Sequence, residues 1–199
     1  MMLDGEKLIK LALEADASGA AILETSTIQF YEDVRKACEK NLCRKYDTNW
    51  MGPPAIGPVS ELRARVQGYR QGLLFQTIHR FNSGLEYARG MFAAAGIHGK
   101  VFRQLLKKIR DAYPSEEILP LNVGCCNICE KCAYLDGQPC RNPDQAVSSV
   151  EAYGINVMEL QKSAGLSYYN GKNSVTYVGM ILFNSCQSSA ISDQLKTDG

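Results

Sequence analysis

Hydrophobic and polar positions alternate between two periods along the chain. Behind Asp4, a capping residue, Leu8, Leu11, Ala12 and Ala15 share one helical face, and Gly19 follows the end. The β-branched and aromatic run at 20–30 predicts a strand, and 31–40 predicts a short helix. Three prolines and two glycines make 49–58 an irregular connection, because proline removes backbone donors and biases the preceding residue toward extended geometry. Ser60 is placed to cap a helix carrying Leu62, Val66 and Tyr69, and "GLLFQTI" (72–78) reads as a second strand.

Ser83 and Glu86 form a capping box that opens a helix to about residue 95. Gly96 and Gly99 are expected to break it. A further helix then presents Val101, Leu105, Ile109 and Ala112 on one side. "EILPLNV" (117–123) is a third strand, whose Pro120 points to an edge or a strand end. Ser148 with Glu151 resembles another capping box. Asn156 with Glu159 caps a helix that Gly165 ends, and 173–183 is the last strand. This order predicts an α/β fold, a single small mixed sheet flanked by helices with a cysteine-rich loop after a strand. Residues 1–184 are expected to form one domain, and 185–199 a polar tail.

Composition narrows the function classes. The chain has 199 residues, 45% hydrophobic and 22% charged, with a net charge of +1. That length buries a real core without cross-links, and the balance lacks the basic excess of a nucleic-acid or membrane-surface binder. The run "KKIR" (107–110) reads as a solvated helix end. The N-terminus is charged by residue 4, and the longest apolar run, 175–183, is far too short to span a bilayer. The sequence therefore predicts a cytoplasmic protein. There, eight cysteines point to metal or redox chemistry before disulfides.

Five of those cysteines lie in "GCCNICEKCAYLDGQPCRNP" (124–143). Cys126, Cys129, Cys132 and Cys140 follow a C-x2-C-x2-C-x7-C pattern. Two overlapping C-x-x-C turns bring three sulfurs around one compact object, and a fourth arrives behind Pro139. A cubane iron–sulfur cluster needs one thiolate at each of four iron corners, and a tight loop plus one later cysteine supplies them. Zinc is the alternative, although its sites more often pair two distant knuckles. Cys125 stands outside the spacing, because adjacent side chains diverge.

Cys38 and Cys43 flank a helix end before the proline-rich loop and have a weaker claim to metal. His79 and His98 read as ordinary polar residues, and no nucleophile elbow or phosphate loop is present. Lys131 and Arg141 are placed to steer an acidic redox partner.

The cysteine block and two later ones, "SVEAYGINV" (149–157) and "NSVTYVGMILF" (173–183), resemble a family of cysteine-rich predicted metal-binding proteins of unknown function from anaerobic bacteria and archaea. The resemblance runs over about residues 30–184. It implies an iron–sulfur cluster or another metal, and no reaction. Upstream, "CEKNLCRKYDTNWMGPP" (38–54) is similar to a block ending in Cys-Pro-Pro, but Gly52 stands where that cysteine falls. With two upstream thiols, too few for a closed site, the sequence predicts one metal centre, a [4Fe-4S] cluster in an electron-transfer or redox accessory protein. The alternatives are a zinc-stabilised interaction module and a metalloenzyme using an incompletely liganded site near Cys38 and Cys43.

Overall fold

The computed structural model describes residues 3–82 and 84–184, with side chains for all of these except 84–89. Ten regular elements follow in the order α1 (Gly5–Leu13), β1 (Gly19–Glu24), α2 (Glu32–Glu39), α3 (Val59–Gln67), β2 (Gln71–Arg80), α4 (Gly84–Ala112), β3 (Ile118–Asn122), β4 (Ser148–Ser149), α5 (Val157–Ser163) and β5 (Ser174–Phe183). Three short 3-10 helices fill connections, at Thr25–Thr27, Ala133–Asp136 and Glu151–Tyr153. The strands form one mixed sheet in the order β1-β2-β5-β3-β4. All neighbours are antiparallel except β3 and β4, which run parallel.

The sheet is covered on both faces, and strand alternation assigns the residues. Leu73, Phe75, Ile181 and Phe183 pack with Leu8 and Ala12 of α1 and with Phe102, Leu105 and Ile109 of α4. Leu74, Val178, Met180 and Leu182 face the other way, against Leu62 and Val66 of α3, Tyr153, Ile155 and Leu160. Burial on both faces explains why β2 and β5 read as almost continuous apolar runs rather than alternating ones.

Several expectations hold in detail. Asp4 accepts a hydrogen bond from the Glu6 amide at 3.0 Å. Asn156 accepts from the Met158 and Glu159 amides at 3.0 and 3.4 Å, and Gly165 ends that helix region at φ +70°. Pro120 sits on the open side of β3, since β4 pairs only with Leu121 and Asn122.

Others are corrected. Gly96 and Gly99 do not break the helix, because α4 runs through both. Each glycine costs about 1 kcal/mol in a helix. Burial of Ala94, Val101, Phe102, Leu105, Leu106 and Ile109 outweighs that. The Ser83 and Glu86 capping box lies outside the residues with described side chains. Ser60 caps nothing: α3 starts after Pro58, with no side-chain cap. The strand at 20–30 stops at Glu24, where the Thr25 hydroxyl donates to the Arg70 carbonyl at 3.1 Å. Ser148 lies in β4 and does not cap a helix. Its neighbour Ser149 accepts from the Ala152 amide at 3.1 Å.

Candidate metal centre

The cysteine block is the crossover between the parallel strands β3 and β4. After Asn122, Gly124 takes φ +68°, a left-handed conformation that turns the chain and delivers Cys125 and Cys126. Residues 126–132 have no regular structure. The 3-10 helix Ala133–Asp136 follows, and Gly137, at φ +63°, ends it. Arg141 donates to the Lys131 carbonyl at 2.7 Å, and Lys131 pairs with Asp136, so residue 140 is drawn back beside 131 and 132. Lys131 and Arg141 are both exposed, yet both help to close the loop. From α4, Arg103 and Arg110 donate to the carbonyls of Gln145 (3.1 Å) and Asp144 (2.8 Å), which ties the far end of the crossover to the long helix.

This closure brings Cys126, Cys129, Cys132 and Cys140 to the wall of one cavity of about 20 Å³. Ile128, Asn142 and Ala146 line it from the same loop, and Asn49, Trp50 and Met51 from upstream. All four cysteines are half-buried free thiols. The Asn142 side-chain amide donates to the Cys129 sulfur at 3.3 Å. A donor set of four thiols, one already accepting an N–H bond, fits a thiophilic metal centre. Among the described residues, no three His, Cys, Asp or Glu side chains already converge as they would around a single bound ion.

The upstream segment is more than a connection, which the sequence reading missed. The Trp50 indole N–H donates to the Gln138 carbonyl at 2.9 Å, and its ring meets Tyr134 edge-on with centroids 5.0 Å apart. The Tyr134 hydroxyl donates to Asp47. Asn49 is buried and accepts from the Met51 amide at 3.1 Å. A Cβ at Gly52 would lie 3.0 Å from the Asn49 amide nitrogen, so a side chain there would press on a residue of the cavity wall. The available signal was the chain's single tryptophan, set between Asn and Met ahead of Gly-Pro-Pro.

Cys38 ends the buried side of α2, one turn after Arg35, whose guanidinium donates to the carbonyls of Ala152 (2.6 Å) and Gly57 (2.9 Å). Burial pushes the Cys38 thiol up. Arg35 opposes that rise, while Cys43, Glu151 and Glu39 add to it. Cys125 is exposed as a residue, but its sulfur sits low enough for desolvation to raise its pKa. Lys45 opposes the rise, and Cys43 and Cys126 reinforce it. Cys43 is thus within electrostatic reach of both Cys38 and Cys125. Cys186 lies outside the described residues.

The two histidines, on β2 and α4, meet at one hydroxyl. His79 Nε2 and His98 Nδ1 are each 2.9 Å from Thr77 Oγ1. His98 is fully buried against the Phe75 ring, and burial pushes its pKa down to about 4.

The model of the predicted metal-binding protein family DUF2284 matches residues 21–183. The chain belongs to this family. The DUF2284 match takes in the sheet from β1 to β5, the cysteine crossover and the segment carrying Trp50. DUF2284 is a predicted metal-binding family of unknown function, which names neither the metal nor a reaction. No curated protein and no solved structure significantly matches the chain. Among the described residues, no helix is long and apolar enough to cross a membrane.

Proposed function

We propose that Cys126, Cys129, Cys132 and Cys140 hold a cubane [4Fe-4S] cluster and that the protein is a cytoplasmic electron-transfer or redox accessory protein. The observation that carries this is the four free thiols lining one cavity. Around tetrahedral zinc, with Zn–S near 2.3 Å, sulfurs crowd to roughly 3.8 Å of one another. A cubane has extent, and its corner thiolates stand farther apart. The C-x2-C-x2-C-x7-C spacing supplies one thiolate for each of four iron corners, three from a tight loop and one from further along.

Such a cluster, when bound, supplies one-electron chemistry at a potential set by its hydrogen bonds and solvent exposure. The chain's own residues do the rest. Asn142 holds an N–H on the Cys129 sulfur, where it stabilises negative charge. Ile128, Met51 and Trp50 line the cavity beside the thiols and lower the local polarity there. With one thiolate for each corner, no iron position remains open to a substrate, so electron transfer is favoured over substrate activation. On the exposed loop Lys131 is paired with Asp136, which leaves Arg141 as the unneutralised positive charge offered to an acidic redox partner protein.

Iron, zinc and acid-labile sulfide are to be measured on anaerobically purified protein, together with the fluorescence of Trp50, the only tryptophan. The expected protein is brown, contains iron and sulfide, and has Trp50 emission quenched by a chromophore beside it. Cys129→Ser or Cys132→Ser should remove colour and quenching, and Cys125→Ser should keep them. A colourless protein with zinc, no sulfide and unquenched emission overturns this assignment in favour of a zinc-stabilised interaction module.

A further inference from the structure

A second cavity, of about 280 Å³, opens on the side of the sheet that α1 and α4 cover, and it shares no residue with the cysteine cavity. Three elements build it. Thr77 and His79 come from the end of β2, Lys100 and Gln104 from successive turns of α4, and Asp16 and Ser18 from the turn after α1. That turn is fastened to β2. The Ser18 amide donates to the Gln76 carbonyl at 2.8 Å, and the Ser18 hydroxyl accepts from the Ile78 amide at 3.0 Å. Opposite charges line the cavity without meeting. Among the described residues, neither Asp16 nor Lys100 has an ion-pair partner, and the two do not pair with each other. An anionic group suits Lys100 and a cationic group suits Asp16, so one small molecule carrying both is complementary to this wall.

Behind the charged rim lies a buried chain of hydrogen bonds. The Thr77 hydroxyl oxygen is 2.9 Å from His79 Nε2 and 2.9 Å from His98 Nδ1. A hydroxyl has one proton, so it donates to one ring and accepts from the other, and the tautomers of the two rings are coupled. His79 Nε2 is taken by Thr77, which leaves Nδ1 for whatever enters the cavity that His79 lines. His98 lies beyond the reach of any ligand, fully buried and stacked on Phe75 with ring centroids 5.6 Å apart.

We propose that this cavity binds a small zwitterion of the amino-acid class, its carboxylate on Lys100 and its ammonium on Asp16 and His79 Nδ1, and that Thr77 passes the state of His79 inward to His98. The ammonium is a donor and fixes Nδ1 of His79 as an acceptor. His79 then donates from Nε2 to the Thr77 hydroxyl, the hydroxyl donates to His98 Nδ1, and His98 holds its proton on Nε2. No proton is gained or lost, and both rings settle in one tautomer. The proposal does not rest on the cluster assignment, because the two cavities are built from different residues.

The test uses the full-length chain with ¹⁵N-labelled imidazoles, of which it has only two. The common α-amino acids are titrated singly, with acetate and methylamine as probes carrying one charge each. Calorimetry reads affinity, and ring nitrogen shifts read the tautomers. At least one amino acid should bind, at least about 10-fold more tightly than either one-charge probe, and Lys100→Met and Asp16→Asn should each weaken it by about 10-fold or more. In the bound state both rings should carry the proton on Nε2. In Thr77→Val, the ligand should still shift His79 and should leave His98 unmoved, and Thr77→Ser should restore the response. Should Thr77→Val not fold, as judged by circular dichroism, His79→Gln takes its place and must silence His98. Binding by no amino acid, equal binding of acetate or methylamine, or affinity indifferent to both charge substitutions overturns the site. A His98 response that survives loss of the hydroxyl or of His79 overturns the relay.

Discussion

Asn142 offers the sharpest test of how the protein tunes its cavity. Its side-chain amide donates to the Cys129 sulfur at 3.3 Å, while its backbone carbonyl accepts from the Gln145 and Ala146 amides at 3.1 and 2.9 Å. Side-chain replacement therefore removes the sulfur contact and leaves the turn. A hydrogen bond to a charged acceptor contributes about 1.5–3 kcal/mol, so Asn142→Leu should weaken metal retention by about 10- to 150-fold. Asn142→Asp puts a carboxylate oxygen where the donor was. At 3.3 Å and an effective dielectric of 20, the repulsion is about 5 kcal/mol, an upper bound because the half-buried group can turn to water. In the proposed cluster the donor would also favour the reduced, more negative state. A differential of about 0.5–1.5 kcal/mol corresponds to a potential lower by about 20–65 mV in the Leu variant, and by more in the Asp variant. Anaerobic redox titration and chelator competition read both quantities. Potentials unchanged in the Leu variant, or higher in the Asp variant than in wild type, would refute the reasoning.

Two further predictions concern the scaffold. Gly179 lies on β5 where an added Cβ would come within 2.5 Å of Phe75 and 2.9 Å of Phe102, so Gly179→Ala should cost about 1–3 kcal/mol. Gly72→Ala meets the flexible end of Leu182 first, at 2.9 Å, and should cost less; urea midpoints in the reverse order would contradict the packing argument. His98, with its pKa lowered to about 4, stays neutral in the folded state while the unfolded chain takes up a proton below about pH 6.5. Stability should therefore fall by about 2–3 kcal/mol between pH 7 and pH 4.5, and His98→Gln should flatten that slope in urea titrations. An equal slope in both proteins would remove His98 as its cause.

The legible parts of the fold were those whose signals are local. β2 and β5 announce themselves as apolar runs, and α1 and α5 begin at side chains that cap them. α4 was misread because two glycines are a local signal, whereas the force that carries the helix through them is burial against the sheet. β4 has only two residues, and its pairing with Leu121 and Asn122 exists only in the folded chain. The same division holds for the site. Spacing within 126–140 named four cysteines that share a cavity. No spacing could join Trp50 to Gln138, because those neighbours arise from separate segments meeting in space.

The parallel pairing of β3 and β4 has a consequence for assembly of the chain. A parallel pair needs a crossover of a dozen or more residues, and an α-helix usually supplies it. Here the crossover is residues 123–147, with a single 3-10 turn and the cysteines in place of a helix. Closing a flexible loop of about 25 residues costs about 3 kcal/mol in chain entropy, set against only two paired residues. Fixing 126, 129, 132 and 140 to one object divides that long loop into short ones before the strands meet. Under the proposed cluster assignment, maturation of the centre and completion of the sheet edge become one event. In cells short of iron or sulfide, the newly made protein would keep β4 and the Glu151–Tyr153 helix undocked, and would reach quality-control proteases as a sheet of four strands with an open edge.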